Sequence, residues 1–293
     1  MNMKRFLIAA VSALLILSGC GSAETADNAE EMAKTTQSEE EKEEDKAENT
    51  ENTENGDEEM DNYKIAEVKD PALYDLQFTM PEKGEEIAVI QTSMGDIKVR
   101  FFPEEAPLAV ENFKTLAKNG FYDGLIFHRV YDEFMIQGGD PTGTGTGFAS
   151  AFDDQPFGDE FVPYLHNYRG SLSMANSGAD SNGCQFFINQ ASSVYEEYVA
   201  SLIQARDESE GACFQNVNKG TFDMVADVYP DAVVEHYREV GGNIHLDYKH
   251  TVFGQVIEGM DVVDAIAKVP ANADGKPDED VIIEKVYFEN YEG

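Results

Sequence analysis

Arg129 lies in the stretch FHRVYDEFMIQGG, between Phe127 and Phe134, with Gln137 eight residues on. A guanidinium is planar, permanently charged and carries several N–H donors in fixed directions, so among apolar neighbours it can act as a rigid hydrogen-bond donor. By itself the residue could equally form a surface ion pair in an acidic protein. The run GGDPTGTGTG follows, five glycines in ten residues. It lacks the Gly-Lys-[Ser/Thr] ending of a phosphate-cradling loop, and FASAFDDQPFGDEF after it does not open a helix. None of the five histidines shows a metal spacing such as His-Glu-x-x-His, and the carboxylates fall mostly in an N-terminal acidic tract and in loops. No metal and no cofactor are expected. His128, beside Arg129, should point to the opposite face of its strand, which makes it a packed side chain rather than a base.

The elements that must position these residues begin after a long leader. The chain has 293 residues and a formal net charge of -36. Such an acidic surface repels phosphate backbones and excludes nucleic acid as a partner on electrostatic grounds. Lys4 and Arg5 precede an apolar stretch from Phe6 to Leu17, then Ser18-Gly19-Cys20. About 12 apolar residues fall short of the ~20 that a spanning helix needs and fit the core of a secretory signal. Residues 1–19 are similar to a bacterial lipoprotein signal, with Cys20 as the lipid-bearing first residue of the mature chain; an ordinary signal cut nearby is the alternative. Residues 21–62 hold 17 acids against three lysines and almost nothing apolar. That composition predicts a disordered tether over residues 20–62. Extended, it would reach up to ~140 Å, either as a spacer or as a solubilising tail with no length requirement.

Residues 63–85 read as an irregular lead-in, interrupted by Pro71 and Pro81. EIAVIQTSMGDIKVRFF alternates on both sides of Met94-Gly95-Asp96, the pattern of a hairpin. In PLAVENFKTLAKNG, Val110, Phe113, Leu116 and Ala117 recur at helical spacing and Gly120 supplies a left-handed stop. Short β-like runs follow: LIFHRV, EFMIQGGD, GSLSMANS, CQFFINQ, HTVFGQVIE and DVIIEKVYFEN. A second helix is expected from Met260 to Val269. Many short strands with a helix near each end favour a mainly β fold, a closed antiparallel barrel. In CQFFIN, Phe186 and Phe187 must face opposite sides, so one can fill the core while the other stays outside.

FHRVYDEFMIQGGDPTGTGTG, GSLSMANSGADSNGCQFFINQ and HLDYKHTVFGQVIEGMDVVDAI together resemble the cyclophilin family of peptidyl-prolyl isomerases, over roughly residues 86–291. The resemblance implies an eight-stranded antiparallel barrel capped by two helices, binding proline-containing peptides on its outer face. Rotation about an Xaa-Pro bond faces a barrier near ~20 kcal/mol because the amide loses resonance. No bond breaks, so a catalyst needs only an apolar grip on the proline ring and a donor to the twisted amide. Arg129 matches the family's catalytic arginine, and Gln137 the residue that orients it. Phe134, Met135, Phe187 and Leu246 match the proline pocket, with Phe253 supporting its floor. Ala175, Asn176 and Gln185 match the groove for residues preceding proline, Asn176 through its backbone, and His250 a groove-side position. The Gly-Thr ladder would run beside the pocket, where small side chains let a substrate backbone approach.

Two features depart from the family. His245 stands where many members have tryptophan, at the border of the pocket; weaker binding of the cyclic peptide cyclosporin is expected while isomerase activity survives. Residues 191–243 replace a short connection. VYEEYVASLIQARDE has helical periodicity, and PDAVVEHYREVGG starts at a proline and ends at glycines. A helical excursion at the groove rim is expected, either selecting substrates or simply tolerated. Cys184 and Cys213 could staple this insertion to the site, although two cysteines outside the cytosol need not pair. Residues 86–293 therefore read as one isomerase domain, a monomer held to the bacterial cell membrane through Cys20 and acting on proline-containing segments of exported or cell-envelope proteins. A proline-binding holdase chaperone is the alternative, and a solute-binding lipoprotein, which needs a two-lobed α/β fold, is disfavoured by the strand pattern.

Overall fold

The computed structural model describes residues 68, 70–208, 213–215, 222–224 and 229–293. Cys20, the signal and the tether lie outside the described residues.

The chain enters through a 3-10 helix, Pro71–Phe78, where an irregular lead-in was expected. Asp70 caps it by accepting from the Ala72 amide at 3.0 Å. The lead-in is fastened to the domain by buried polar groups. Gln77 donates to the His166 carbonyl at 3.0 Å and accepts from the His166 amide at 2.7 Å. Arg100 donates to the Thr79 carbonyl at 2.8 Å and pairs with Glu85 at 3.3 Å. The lead-in thus packs against the domain that follows it.

Strands β1 (Glu86–Thr92) and β2 (Gly95–Phe101) form the expected hairpin. Its turn is Ser93-Met94, because Thr92 pairs with Gly95; the glycine, at φ +136°, opens the second strand. Helix α1 (Pro107–Lys118) has proline in its first turn but no side-chain cap of its own. Glu160 supplies one from 52 residues away in sequence, accepting from the Leu108 and Ala109 amides at 3.0 Å each, a carboxylate where the helix dipole favours it. Then come β3 (Arg129–Tyr131), β4 (Met135–Gly138), β5 (Ser171–Met174) and β6 (Phe186–Asn189).

The insertion contains α2 (Glu196–Glu208), short strands β7 (Cys213–Gln215) and β8 (Phe222–Met224), and α3 (Asp231–Val240). It is therefore not purely helical. Pro230 stands just before α3 and Gly241, at φ +84°, just after it. Any Cβ at Gly241 would meet the Ser192 carbonyl carbon at 2.5 Å, so the glycine brings the two ends of the insertion together. The chain finishes with β9 (Val252–Glu258), α4 (Met260–Ala267) and β10 (Ile283–Asn290).

Eight strands make one curled antiparallel sheet in the order β10-β1-β2-β9-β5-β6-β4-β3. Among the described residues the edge strands β10 and β3 are not laddered to each other, so the sheet is a curled half-barrel and not the closed barrel expected from the sequence; only the segments that precede them touch. Ile126 bridges Ile282, and the Phe127 amide donates to the Val281 carbonyl at 3.0 Å. The concave side holds the core: Ile90, Ile97, Val99, Val130, Ile136, Leu172, Phe186, Ile188 and Phe253, with Phe113 and Leu116 from α1 and Val263 and Ile266 from α4. Each large side chain buried there contributes about 1.5–3 kcal/mol. A second cluster holds Tyr168, Val199, Tyr229, Val233, Tyr237, Ile244 and Tyr248, which packs the insertion onto the domain.

Candidate functional site

Antiparallel register places the candidate residues in a row. Arg129 is opposite Gln137, Gln137 opposite Phe187, and Phe187 opposite Ser173. Residues directly opposite one another share a face, and this row is the convex one, since the neighbouring row of Val130, Ile136, Ile188 and Leu172 fills the core. Phe186 and Phe187 divide as the alternation requires. Phe186 is in the core, and Phe187 packs edge-on against His250 with ring centroids 5.2 Å apart.

A chain of amide contacts fixes the arginine. Its Nη1 lies 3.4 Å from Gln137 Oε1, Gln137 Nε2 donates to Gln185 Oε1 at 3.0 Å, and Gln185 Nε2 donates to the carbonyls of Gly145 and Gly147 at 3.1 and 2.8 Å. Because arginine can only donate, Gln137 must turn its oxygen toward Arg129 and its NH2 toward Gln185. The guanidinium also lies over the rings of Tyr131 and Phe134, 5.1 and 5.9 Å from their centroids, an attraction of about 0.5–1 kcal/mol per contact at a partly exposed position.

Apolar and aromatic side chains flank the cation. Met135 and Phe187 are buried, while Phe134, under the guanidinium, and His245 are half-buried, as is Leu246, the chain neighbour of His245. His245 stacks on Phe134 at 5.9 Å and 19°. Burial lowers the pKa of His245, with the charge of Lys249 adding and that of Asp247 opposing. Burial also lowers that of His250, although its contact with the Met174 carbonyl, 2.9 Å from Nδ1, works the other way. Both rings are thus held toward their neutral form, which suits an apolar wall. The Ala175 amide donates to the Gln185 carbonyl at 3.0 Å, and Asn176 Nδ2 to the Lys249 carbonyl at 2.8 Å. The Asn176 side chain therefore holds the turn that carries His250.

Phe253 corrects the sequence-based expectation. Its ring is fully buried in the core, 5.7 Å from Phe113 and 6.5 Å from Phe101, so it does not line the expected proline pocket. Cys184 is a free, buried thiol whose pKa burial raises to about 11, and an inert one at neutral pH. The side chain of Cys213 is outside the described residues. His128 is 6 % exposed, lies against Gly145, and neither ring nitrogen has a partner. Burial lowers its pKa, helped by Arg129 and opposed by Asp140. It is a packed neutral ring, not a base.

Sequence reasoning missed the residue that shapes the Gly-Thr ladder. Asp140, 1 % exposed, accepts from the Thr142 amide at 2.7 Å, Thr142 Oγ1 at 2.9 Å and the Thr144 amide at 3.0 Å, and also from the Gly145 amide. Burial alone would raise its pKa, but these donors outweigh it and hold the carboxyl below its ordinary value. A Cβ on Gly147 would overlap Asp140 Oδ1. The Asp-Pro-Thr sequence, a turn in which the carboxylate caps the amides after it, was the available signal. Asn243 was missed too: its Nδ2 donates to the Phe134 carbonyl at 2.8 Å and to Asn189 Oδ1 at 2.7 Å, tying the end of the insertion to the backbone at Phe134.

A cation held by a neutral partner beside aromatic side chains can bind and polarise a ligand. Comparison with known proteins gives that arrangement a context. The family model for cyclophilin type peptidyl-prolyl cis-trans isomerases matches residues 87–288. A putative peptidyl-prolyl cis-trans isomerase of Staphylococcus aureus is 42 % identical over 208 residues, 71 % of this chain and 94 % of that protein. A putative bifunctional phosphatase/peptidyl-prolyl cis-trans isomerase of Streptococcus pyogenes is 46 % identical over 199 residues, but the match spans only 37 % of that longer protein. Among solved structures, a cyclophilin type peptidyl-prolyl cis-trans isomerase of Cryptosporidium parvum, crystallised in the presence of the dipeptide Ala-Pro, superposes with a TM-score of 0.51 at 27 % identity, covering 70 % of this chain and 99 % of its own. The chain belongs to the cyclophilin-type peptidyl-prolyl cis-trans isomerase family.

Proposed function

We propose that the protein accelerates rotation about Xaa-Pro bonds in exported or cell-envelope proteins, with the recess formed by Phe134, Met135, Phe187 and Leu246 gripping the proline ring and Arg129 donating to the twisting amide. The observation that carries this is the guanidinium held by a neutral partner, Gln137, beside Phe134. As conjugation is lost the amide nitrogen gains a lone pair, and a preorganised cation beside it lowers the barrier without bond breaking. The Cryptosporidium relative's Ala-Pro dipeptide is a molecule of the right class. Ala175, Asn176 and Gln185 would receive residues ahead of the proline, and His245 and His250 would close the recess with neutral rings.

The sequence of the first 62 residues supports attachment to the outer side of a membrane through a lipid on Cys20. Fractionation checks this part: the native chain should follow the membrane and Cys20→Ala the soluble fraction. Exchange NMR of an Ala-Pro peptide checks the chemistry. Acceleration that collapses in Arg129→Ala supports the isomerase, whereas peptide binding without acceleration in either protein would make it a proline-binding holdase.

A further inference from the structure

We propose that Asp247 is a positioning residue for the recess, and that tyrosines of the 191–243 insertion set substrate affinity through it; the idea rests on the reading that His245 and Leu246 wall the proline site. Asp247 follows these two directly and is 2 % exposed. Its carboxylate accepts from five donor groups. Tyr237 Oη lies 2.8 Å from each oxygen, Tyr229 Oη 3.3 Å from Oδ2, and His166 Nδ1 2.9 Å from Oδ2. The Asn167 amide and Nδ2 reach Oδ1 at 2.7 and 3.1 Å. Two of these donors, Tyr229 and Tyr237, belong to the insertion.

Tyr248 adds a second, independent sign that the turn is held in place, in part by the insertion through Tyr229. It adopts φ +57°, a left-handed conformation that is strained for a non-glycine residue. Such a conformation persists where the surroundings over-determine it. Here they do: the ring is 3 % exposed in the cluster that joins the insertion to the domain, edge-on to Phe161 at 6.1 Å and His166 at 6.1 Å from the domain and to Tyr229 at 6.2 Å from the insertion. Residues 247 and 248 are thus pinned by polar and apolar contacts on one side. On the other side the same short turn presents His245 to Phe134 and His250 to Phe187. Release of the pin would let the wall move away from a recess whose other half, on β4 and β6, is fixed by the sheet ladder.

The test is Tyr229→Phe/Tyr237→Phe in the full chain, with Ala-Pro peptide exchange measured over a range of peptide concentrations and unfolding followed in parallel. KM should rise about fivefold or more while kcat stays within twofold, because Arg129 and Gln137 are untouched. A lower Tm with unchanged KM would reduce the cage to structural support and overturn the proposal, as would a kcat loss without a KM change. Should the double variant fail to fold, Tyr229→Phe, which loses one 3.3 Å contact, should still raise KM about twofold, and an unchanged KM there overturns it. Absence of acceleration in the native chain would sink the isomerase reading, yet titration with the same peptide would still decide: equal Kd in native and variant chains rejects the positioning role, and weaker binding in the variant supports it. No peptide binding by the native chain rejects both.

Discussion

Arg129 and Gln137 are register partners across β3 and β4, and their side chains meet at 3.4 Å from Nη1 to Oε1. The partner is neutral, so the guanidinium keeps its charge available to a ligand. The arginine ion pairs among the described residues belong instead to Arg100, Arg169, Arg206 and Arg238. If Gln137 acts through Arg129, the two effects overlap and do not add. Arg129→Ala should cost on the order of 10²–10³ in kcat/KM, the range for loss of one preorganised donor, and Gln137→Leu about tenfold. The double variant should be no slower than Arg129→Ala. A further tenfold loss in the double variant would show that Gln137 has its own contact with substrate.

The ladder reaches the same arginine from the other end, through Gly145 and Gly147, then Gln185 and Gln137. Asp140 holds that ladder, so its replacement should be felt at two levels. Asp140→Asn turns one acceptor oxygen into an NH2 that faces amide donors. Loss of about 2–3 kcal/mol is expected by denaturant titration, the cost of breaking a buried charged hydrogen-bond set. Activity at saturating peptide should fall as well. Full activity in the destabilised variant would show that the ladder does not set the arginine's orientation.

Part of this arrangement was legible in sequence because it depends on alternation: period-two spacing within one strand separates Phe186 from Phe187. Arg129 and Gln137 were singled out by their resemblance to the cyclophilin motif, and it is cross-strand register, which no local spacing encodes, that puts them in one row with Phe187. Phe253 failed for the complementary reason. A phenylalanine in HTVFGQVIE carries no mark of which face it takes, and its strand pairs with β2 and β5 around a register shift on each side. Asp140 and Asp247 were hidden because their partners are backbone amides or residues up to about 80 positions away, contacts without a local spacing. The strands of the insertion were missed because β7 and β8 are three residues each, too short for a periodicity to register.

Acid should loosen the domain through its buried histidines. His128, His245 and His250 all have pKa values lowered from 6.5, burial being the largest cause in each. A lowered folded-state pKa means that the unfolded chain binds protons first as pH falls. Their stabilisation is therefore intact above 6.5 and is lost progressively below it, down to the folded-state values. His128 makes no hydrogen bond that replacement would break, so His128→Phe should flatten the fall of Tm as pH drops below about 6.5. The remaining slope would come from His245, His250 and the carboxylates. An unaltered pH profile in His128→Phe would mean that water reaches this ring and relieves its burial.

His245 offers a separation between binding a large cyclic ligand and turning over a small peptide. Its imidazole stacks on Phe134 and covers only part of what an indole would cover. His245→Trp adds apolar area and a ring N–H at the rim while leaving Arg129, Gln137 and the recess floor in place. Cyclosporin affinity should improve about tenfold, equivalent to ~1.4 kcal/mol, with Ala-Pro exchange changed by less than about threefold, under ~1 kcal/mol. Calorimetry and exchange NMR on the same samples compare the two directly. Unchanged cyclosporin affinity would place the limit elsewhere, at the insertion that borders the recess through Asn243 and the Phe134 carbonyl. The difference matters because a wall set by residue 245 can be altered by one side chain, whereas a wall set by the insertion moves only with the aromatic cluster behind it.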